Sequence, residues 1–93
     1  MKIFNHRVPN VRTTIINALE NGRVLTNGSA NELTKSSEGS RTIRRLRQEG
    51  YPIEERWRPN RIRKGHIKEY YYSVETRRKL REERALEANG LLN

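Results

Sequence analysis

The sequence contains no cysteine, which excludes a disulfide framework, a thiolate metal site and a cysteine nucleophile. Aromatic residues are scarce, with one Phe, one Trp and four Tyr among 93 residues. Leu, Ile, Val and Phe together number 20, or about 22% of the chain, just above the ~20% below which highly charged chains stay disordered. A small core is expected. No apolar run approaches the ~18 residues a membrane span requires, so no span is expected, and no membrane is assigned as a partner. The segment Met1–Arg7 lacks the apolar core of a signal peptide, and the expected compartment is the cytoplasm. Elements of catalysis are missing too. There is no glycine-rich phosphate loop and no Ser/His/Asp arrangement. The adjacent carboxylates Glu54 and Glu55 point to opposite faces of a strand. His6 and His66 have no partners at ligand spacing. The expectation is a protein that is not an enzyme and carries no metal or cofactor.

What the chain does have is positive charge: 20 Lys and Arg against 11 Asp and Glu, a formal net charge of +9. Such a surplus argues for a polyanionic partner. The charge is unevenly spread. Residues 1–39 carry net +2, residues 40–74 net +6 and residues 75–93 net +1. This predicts a basic face rather than a basic tail.

Residues 1–9 show no period and read as an N-terminal arm. Asn10 is a good cap for a helix from about Val11 to Asn21, with Val11, Ile15 and Leu19 on one stripe and Gly22 as its stop. Arg23–Thr26 is a short extended stretch suited to a sheet edge. Thr26 or Asn27 can cap a second helix carrying Ala30 and Leu33. Thr34–Gly39 reads as a turn. Capped by Ser37 or Ser40, a third helix runs from Ser40 to Glu49 and is closed by Gly50, with Pro52 beyond it. With Ile43 set at ~0° and ~100° per residue, Thr42, Ile43 and Leu46 face the core. Arg41, Arg44, Arg45, Ser37 and Gln48 share the opposite face, and on this wheel only Glu49 answers them, off to the side.

After Gly50 the period becomes two. Ile53 to Arg58 reads as a strand, Pro59 to His66 as a loop, and Ile67 to Val74 as a second strand with Tyr70 and Tyr72 on one face. The result is a hairpin with a long basic tip, and no carboxylate is expected opposite Arg56, Arg58, Arg61, Arg63 and Lys64. Trp57 and the tyrosines are assigned to packing. Ser73 caps a last helix to about Ala88, with Glu75–Lys79, Arg78–Glu82 and Lys79–Glu83 spaced for ion pairs. Its leucines, Leu80, Leu86, Leu91 and Leu92, serve either a homodimer or a monomer in which this helix covers the core.

Three helices, a two-stranded β-hairpin and a C-terminal helix form an α+β arrangement of the winged helix-turn-helix kind. The domain spans residues 10–74, followed by a C-terminal helix and tail over 75–93. Leu25-Thr26, Ser40-Arg41-x-x-Arg44-x-Leu46-Arg47-x-x-Gly50, Ile53 and Tyr70-x-Tyr72-Ser73 together resemble the small winged helix-turn-helix proteins of bacteriophages and prophages. The resemblance covers about residues 11–74 and implies a DNA-binding module, in a bacterial host's cytoplasm if phage-encoded. The compact form of the motif would put an Ala at residue 33. Here that position is Leu33 and the Ala falls at Ala30, which predicts a turn about three residues longer.

For double-stranded DNA, Arg41, Arg44 and Gln48 have the donors to read base edges, Arg with guanine and Gln with adenine. Ser37 and Ser40 lie near a helix N-terminus that favours phosphate, and Arg45 and Arg47 suit the backbone. The wing residues Arg56, Arg58, Arg61, Arg63 and Lys64 suit the backbone or the adjacent minor groove. The leading expectation is a sequence-specific regulator of transcription from a phage or mobile element. The alternatives are a protein that binds an acidic host protein, and an excisionase-like architectural DNA binder. Double-stranded RNA fits poorly, because its narrow major groove does not admit the third helix.

Overall fold

The computed structural model describes residues 10–92. The predicted N-terminal arm, residues 1–9, and the side chains of Leu91 and Leu92 lie outside what is described. The elements run α1 (Val11–Glu20), α2 (Asn27–Thr34), α3 (Glu38–Gln48), β1 (Glu54–Pro59), β2 (His66–Tyr71) and α4 (Val74–Leu92).

Local chemistry accounts for each helix boundary. Asn10 Oδ1 accepts from the Thr13 amide at 2.7 Å and starts α1. Thr26 and Ser29 exchange side-chain and backbone hydrogen bonds in a reciprocal capping box that starts α2. All three core helices end in the same way. The amides of Arg23, Ser36 and Tyr51 reach back to the carbonyls of Ala18, Asn31 and Leu46 at 3.0, 3.0 and 3.1 Å, and the preceding residue is left-handed. Gly22 and Gly50 supply that conformation at φ +87° and +97°, as their places as helix stops predict. In α2 it falls to Lys35 at φ 54°.

The turn before α3 is shorter than Thr34–Gly39, because Glu38 and Gly39 already belong to the helix. Ser37 occupies the cap position without a side-chain cap, while Ser36 Oγ accepts from the Glu38 amide at 3.0 Å. Position 39 is a glycine where α2 crosses α3. A Cβ on Gly39 would collide with the Ala30 carbonyl oxygen and stand 2.8 Å from Thr34 Oγ1. The small residues that let the two helices approach are therefore Ala30 and Gly39, so the position of Ala30 in the sequence has a packing reason.

Ile15, Leu19, Leu25, Ala30, Ile43, Leu46, Ile53 and Tyr72 form the core, with Leu33, Tyr51, Tyr70 and Leu80 packed at its margin. Burial raises the Tyr72 phenol above its usual pKa, with Glu20 adding to the shift. The strands pair antiparallel from Glu54↔Tyr71 to Pro59↔His66. On the other edge of β2, Leu25 exchanges two backbone bonds with Tyr70, at 2.8 and 2.7 Å, as the extended stretch before α2 suggests.

Among the described residues, α4 packs against this body through its first half. Ser73 Oγ accepts from the Thr76 amide at 3.1 Å, Leu80 meets the core and Arg84 pairs with Glu20 at 2.6 Å. The helix runs to Leu92, past the expected end at Ala88, and residues 81–90 are all exposed. Glu75–Lys79, Arg78–Glu82 and Lys79–Glu83 do not pair; the Arg84–Glu20 pair to α1 is the one that α4 forms among the described residues. Side chains that protrude into water gain little from closing such exposed pairs.

Candidate nucleic-acid interface

α3 is anchored by Thr42, Ile43 and Leu46, all buried, together with Gly39. Its opposite face is therefore turned to solvent, with Arg41, Arg44, Arg45, Gln48 and Ser37 exposed as the helical period predicts. At the end of the helix the chain reverses through Gly50–Ile53 and rises as β1, so the hairpin stands beside α3. Between them lies an open groove. Ser40, Arg44 and Gln48 line it from the helix, Trp57 and Lys68 from the hairpin, and the Thr26–Gly28 start of α2 closes one end.

The arginines of α3 differ sharply in how they are held. Arg41 pairs with Glu38 at 3.1 Å, one turn before it. On the wheel that carries Ser37, Glu38 falls on the same face, so a second carboxylate besides Glu49 belongs to it. Such an exposed pair is easily broken, and Arg41 remains able to swing out. Arg47 is turned into the groove wall, donating to Glu55 Oε2 at 2.6 Å with its guanidinium 5.9 Å from the Tyr70 ring centre. Lys68 approaches the same Glu55 at 3.5 Å. Glu55 thus ties α3 to both strands. Arg44 and Arg45 have no ion-pair partner among the described residues.

Glu49 does not answer the exposed arginine face. It takes two hydrogen bonds from Arg12 of α1, at 2.7 and 3.1 Å, and Arg12 also reaches the Tyr51 hydroxyl at 3.1 Å. The Arg12 hydrogen bonds hold the Glu49 carboxyl below its usual pKa and keep the guanidinium more firmly protonated. The N-terminus of α3 is also already engaged. Ser36 Oγ takes the Glu38 amide, and Asn31 Oδ1 takes the Ser40 amide at 2.9 Å. Ser40 contributes its side chain to the groove, while its amide is satisfied from α2. Ser37 is exposed beside that end.

The hairpin corrects two expectations. Arg56 and Arg58 are opposed by a carboxylate after all: both donate through Nε to Glu69 on β2, at 2.8 and 2.5 Å. The register sets Arg56 directly across from Glu69, a relation that cannot be read until the strands are aligned. These bonds, from Arg56 first and then Arg58, hold the Glu69 carboxyl below its usual pKa. Among the described residues, the unpaired charge of the wing is thus at its tip, on Arg61, Arg63 and Lys64, all exposed.

Trp57 is not core. It is 61% exposed, with the Lys68 ammonium 4.7 Å from its ring centre. Its strand face is the one that Ile53 and Glu55 share, but the core reaches only the first rungs of the hairpin, and Trp57 overhangs the groove beyond them. The tyrosines do pack as expected: Tyr72 is buried, Tyr70 lies at the core margin and Tyr71 takes Arg56 against its ring at 4.8 Å.

Three packed helices, a hairpin standing beside the third and a basic groove between them define a winged helix-turn-helix domain, a class of fold that binds DNA. The chain belongs to the winged helix-turn-helix domain family, whose model matches residues 12–76. Comparisons with curated proteins and with solved structures return no match. No helix among the described residues is long and apolar enough to cross a membrane.

Proposed function

We propose that the chain is a sequence-specific binder of double-stranded DNA and a regulator of transcription that works by contact, without catalysis. The observation that carries this reading is the groove in which Arg44 and Gln48 of α3 stand open to solvent beside the basic wing. An 11-residue helix is about 16 Å long and enters a major groove ~12 Å wide. Arg44 then offers a guanine a bidentate pair and Gln48 offers one to an adenine. Arg41 joins them once it leaves Glu38. Arg45, Ser37 and the tip residues Arg61, Arg63 and Lys64 meet phosphates or the neighbouring minor groove. Arg47, Arg56 and Arg58 hold the scaffold through Glu55 and Glu69. The motif from Ser40 to Gly50 supports a small regulator of the phage or mobile-element kind. Selection of bound duplexes from a random pool tests the whole reading. An enriched motif with a salt-dependent affinity is expected, and recovery of no common sequence would overturn it.

A further inference from the structure

Ile62 stands at the far end of the hairpin and is 91% exposed, more than any other large hydrophobic among the described residues. Its neighbours Arg61, Arg63 and Lys64 are exposed cations, so no apolar surface surrounds it. The apex that presents it is a built turn. Asn60 Oδ1 accepts from the amides of Ile62 at 3.0 Å and Arg63 at 3.3 Å, and the Asn60 amide donates to the Gly65 carbonyl at 3.0 Å. Pro59 fixes one side of the turn, and Gly65 at φ +110° closes the other. A branched aliphatic side chain is therefore held out in water at the point of the molecule where cations gather.

We propose that Ile62 is a minor-groove wedge, inserting between base pairs and bending the duplex. The proposal rests on the reading that α3 occupies the major groove. The cations bring the tip to the phosphates on either side of the narrow groove, where the potential is most negative. Once there, the aliphatic side chain leaves water for the faces of a partly unstacked base step. Minor-groove wedges bend DNA toward the major groove, which folds the duplex around α3 and brings more phosphates to the protein. Flexible TA or CA/TG steps unstack most cheaply, so such a step is expected where the tip meets the DNA, at a position no side chain reads.

Bending is measured by circular-permutation gel shift and by end-to-end energy transfer, on duplexes that the full chain recovers from a random pool. The wild type is expected to bend DNA by about 20–90°. Ile62→Ala, at a tip that touches no core residue, is expected to lose most of that bend and to keep the salt slope. Ile62→Leu, which restores the wedge, keeps the bend. Arg63→Ala binds more weakly and still bends. A straight wild-type complex, or Ile62→Ala bending as far as the wild type, overturns the wedge and leaves major-groove reading intact. Failure to retain any duplex overturns both.

Discussion

Arg44 stands in the groove with no ion-pair partner among the described residues, whereas Arg47, three positions on, is already bonded to Glu55. Arg47→Ala is therefore expected to leave base preference unchanged, while Arg44→Ala on the helix and Arg63→Ala at the wing tip should differ from each other. Arg44→Ala is expected to weaken duplex binding by roughly 1–3 kcal/mol and to relax preference at one base position. Anisotropy titration against matched and single-mismatch duplexes measures both effects. Arg63→Ala is expected to weaken all sequences alike and lower the salt slope by about one. Loss of base preference in Arg63→Ala but not in Arg44→Ala would mean that the wing reads and the helix does not. Gly39 makes a separate prediction about stability. A Cβ there meets the backbone carbonyl of Ala30, which cannot rotate away as a side chain would. Gly39→Ala is expected to cost about 1–3 kcal/mol as an overpacked contact, read by denaturant unfolding.

At the scale of elements, the hairpin is a scaffold with an active end. Glu69 collects Arg56 and Arg58, and its side chain is only 12% exposed, so these two arginines brace one strand against the other. Its carboxyl titrates below the usual range. A depressed carboxyl adds stability that is present above its unfolded pKa, about 4.3 for Glu, and that is lost as pH falls through the lower folded value. Melting temperature should therefore drop below pH ~4, and Glu69→Gln should flatten part of that drop while lowering stability at neutral pH. Glu49, held low by Arg12, contributes in the same direction. An unchanged acid profile in Glu69→Gln would overturn this account of the hairpin. The same substitution frees two arginines, so nonspecific duplex affinity should rise and its salt slope steepen.

For the whole molecule, the extents of 56 × 40 × 21 Å reflect a small body with α4 projecting from it. At 19 residues the helix is about 28 Å long, yet its contacts with the body are made in its first half, by Arg77 against Gly22, by Leu80 and, near its middle, by Arg84. A chain ending at Arg84 keeps all three contacts and is expected to melt with the full chain. A chain ending at Ser73 loses the burial of Leu80, about 1–2 kcal/mol for a partly buried leucine, and is expected to melt earlier. Thermal unfolding of the two truncations separates these outcomes, and equal destabilisation of both would place further packing beyond Arg84.

Features that depend on neighbours within a turn or two were legible in the sequence. The caps at Asn10, Thr26 and Ser73, the stops at Gly22 and Gly50 and the exposed face of Arg44, Arg45 and Gln48 follow from hydrogen bonds and periods spanning three or four residues. Features that depend on distant partners were not. Arg12 meets Glu49 across 37 positions, Glu69 meets Arg56 only through strand register, and Glu55 joins α3 to both strands. Trp57 shows the same divide: its alternation names the face it lies on, but how far the core extends under that face is a property of the packed helices. The sequence by itself thus determined the order of elements and which helix carries the basic face, because local propensity and periodicity settle both. Tertiary structure alone decided which of those cations are already neutralised and which stand open, because a charge is cancelled by whatever the fold brings within a few ångströms of it.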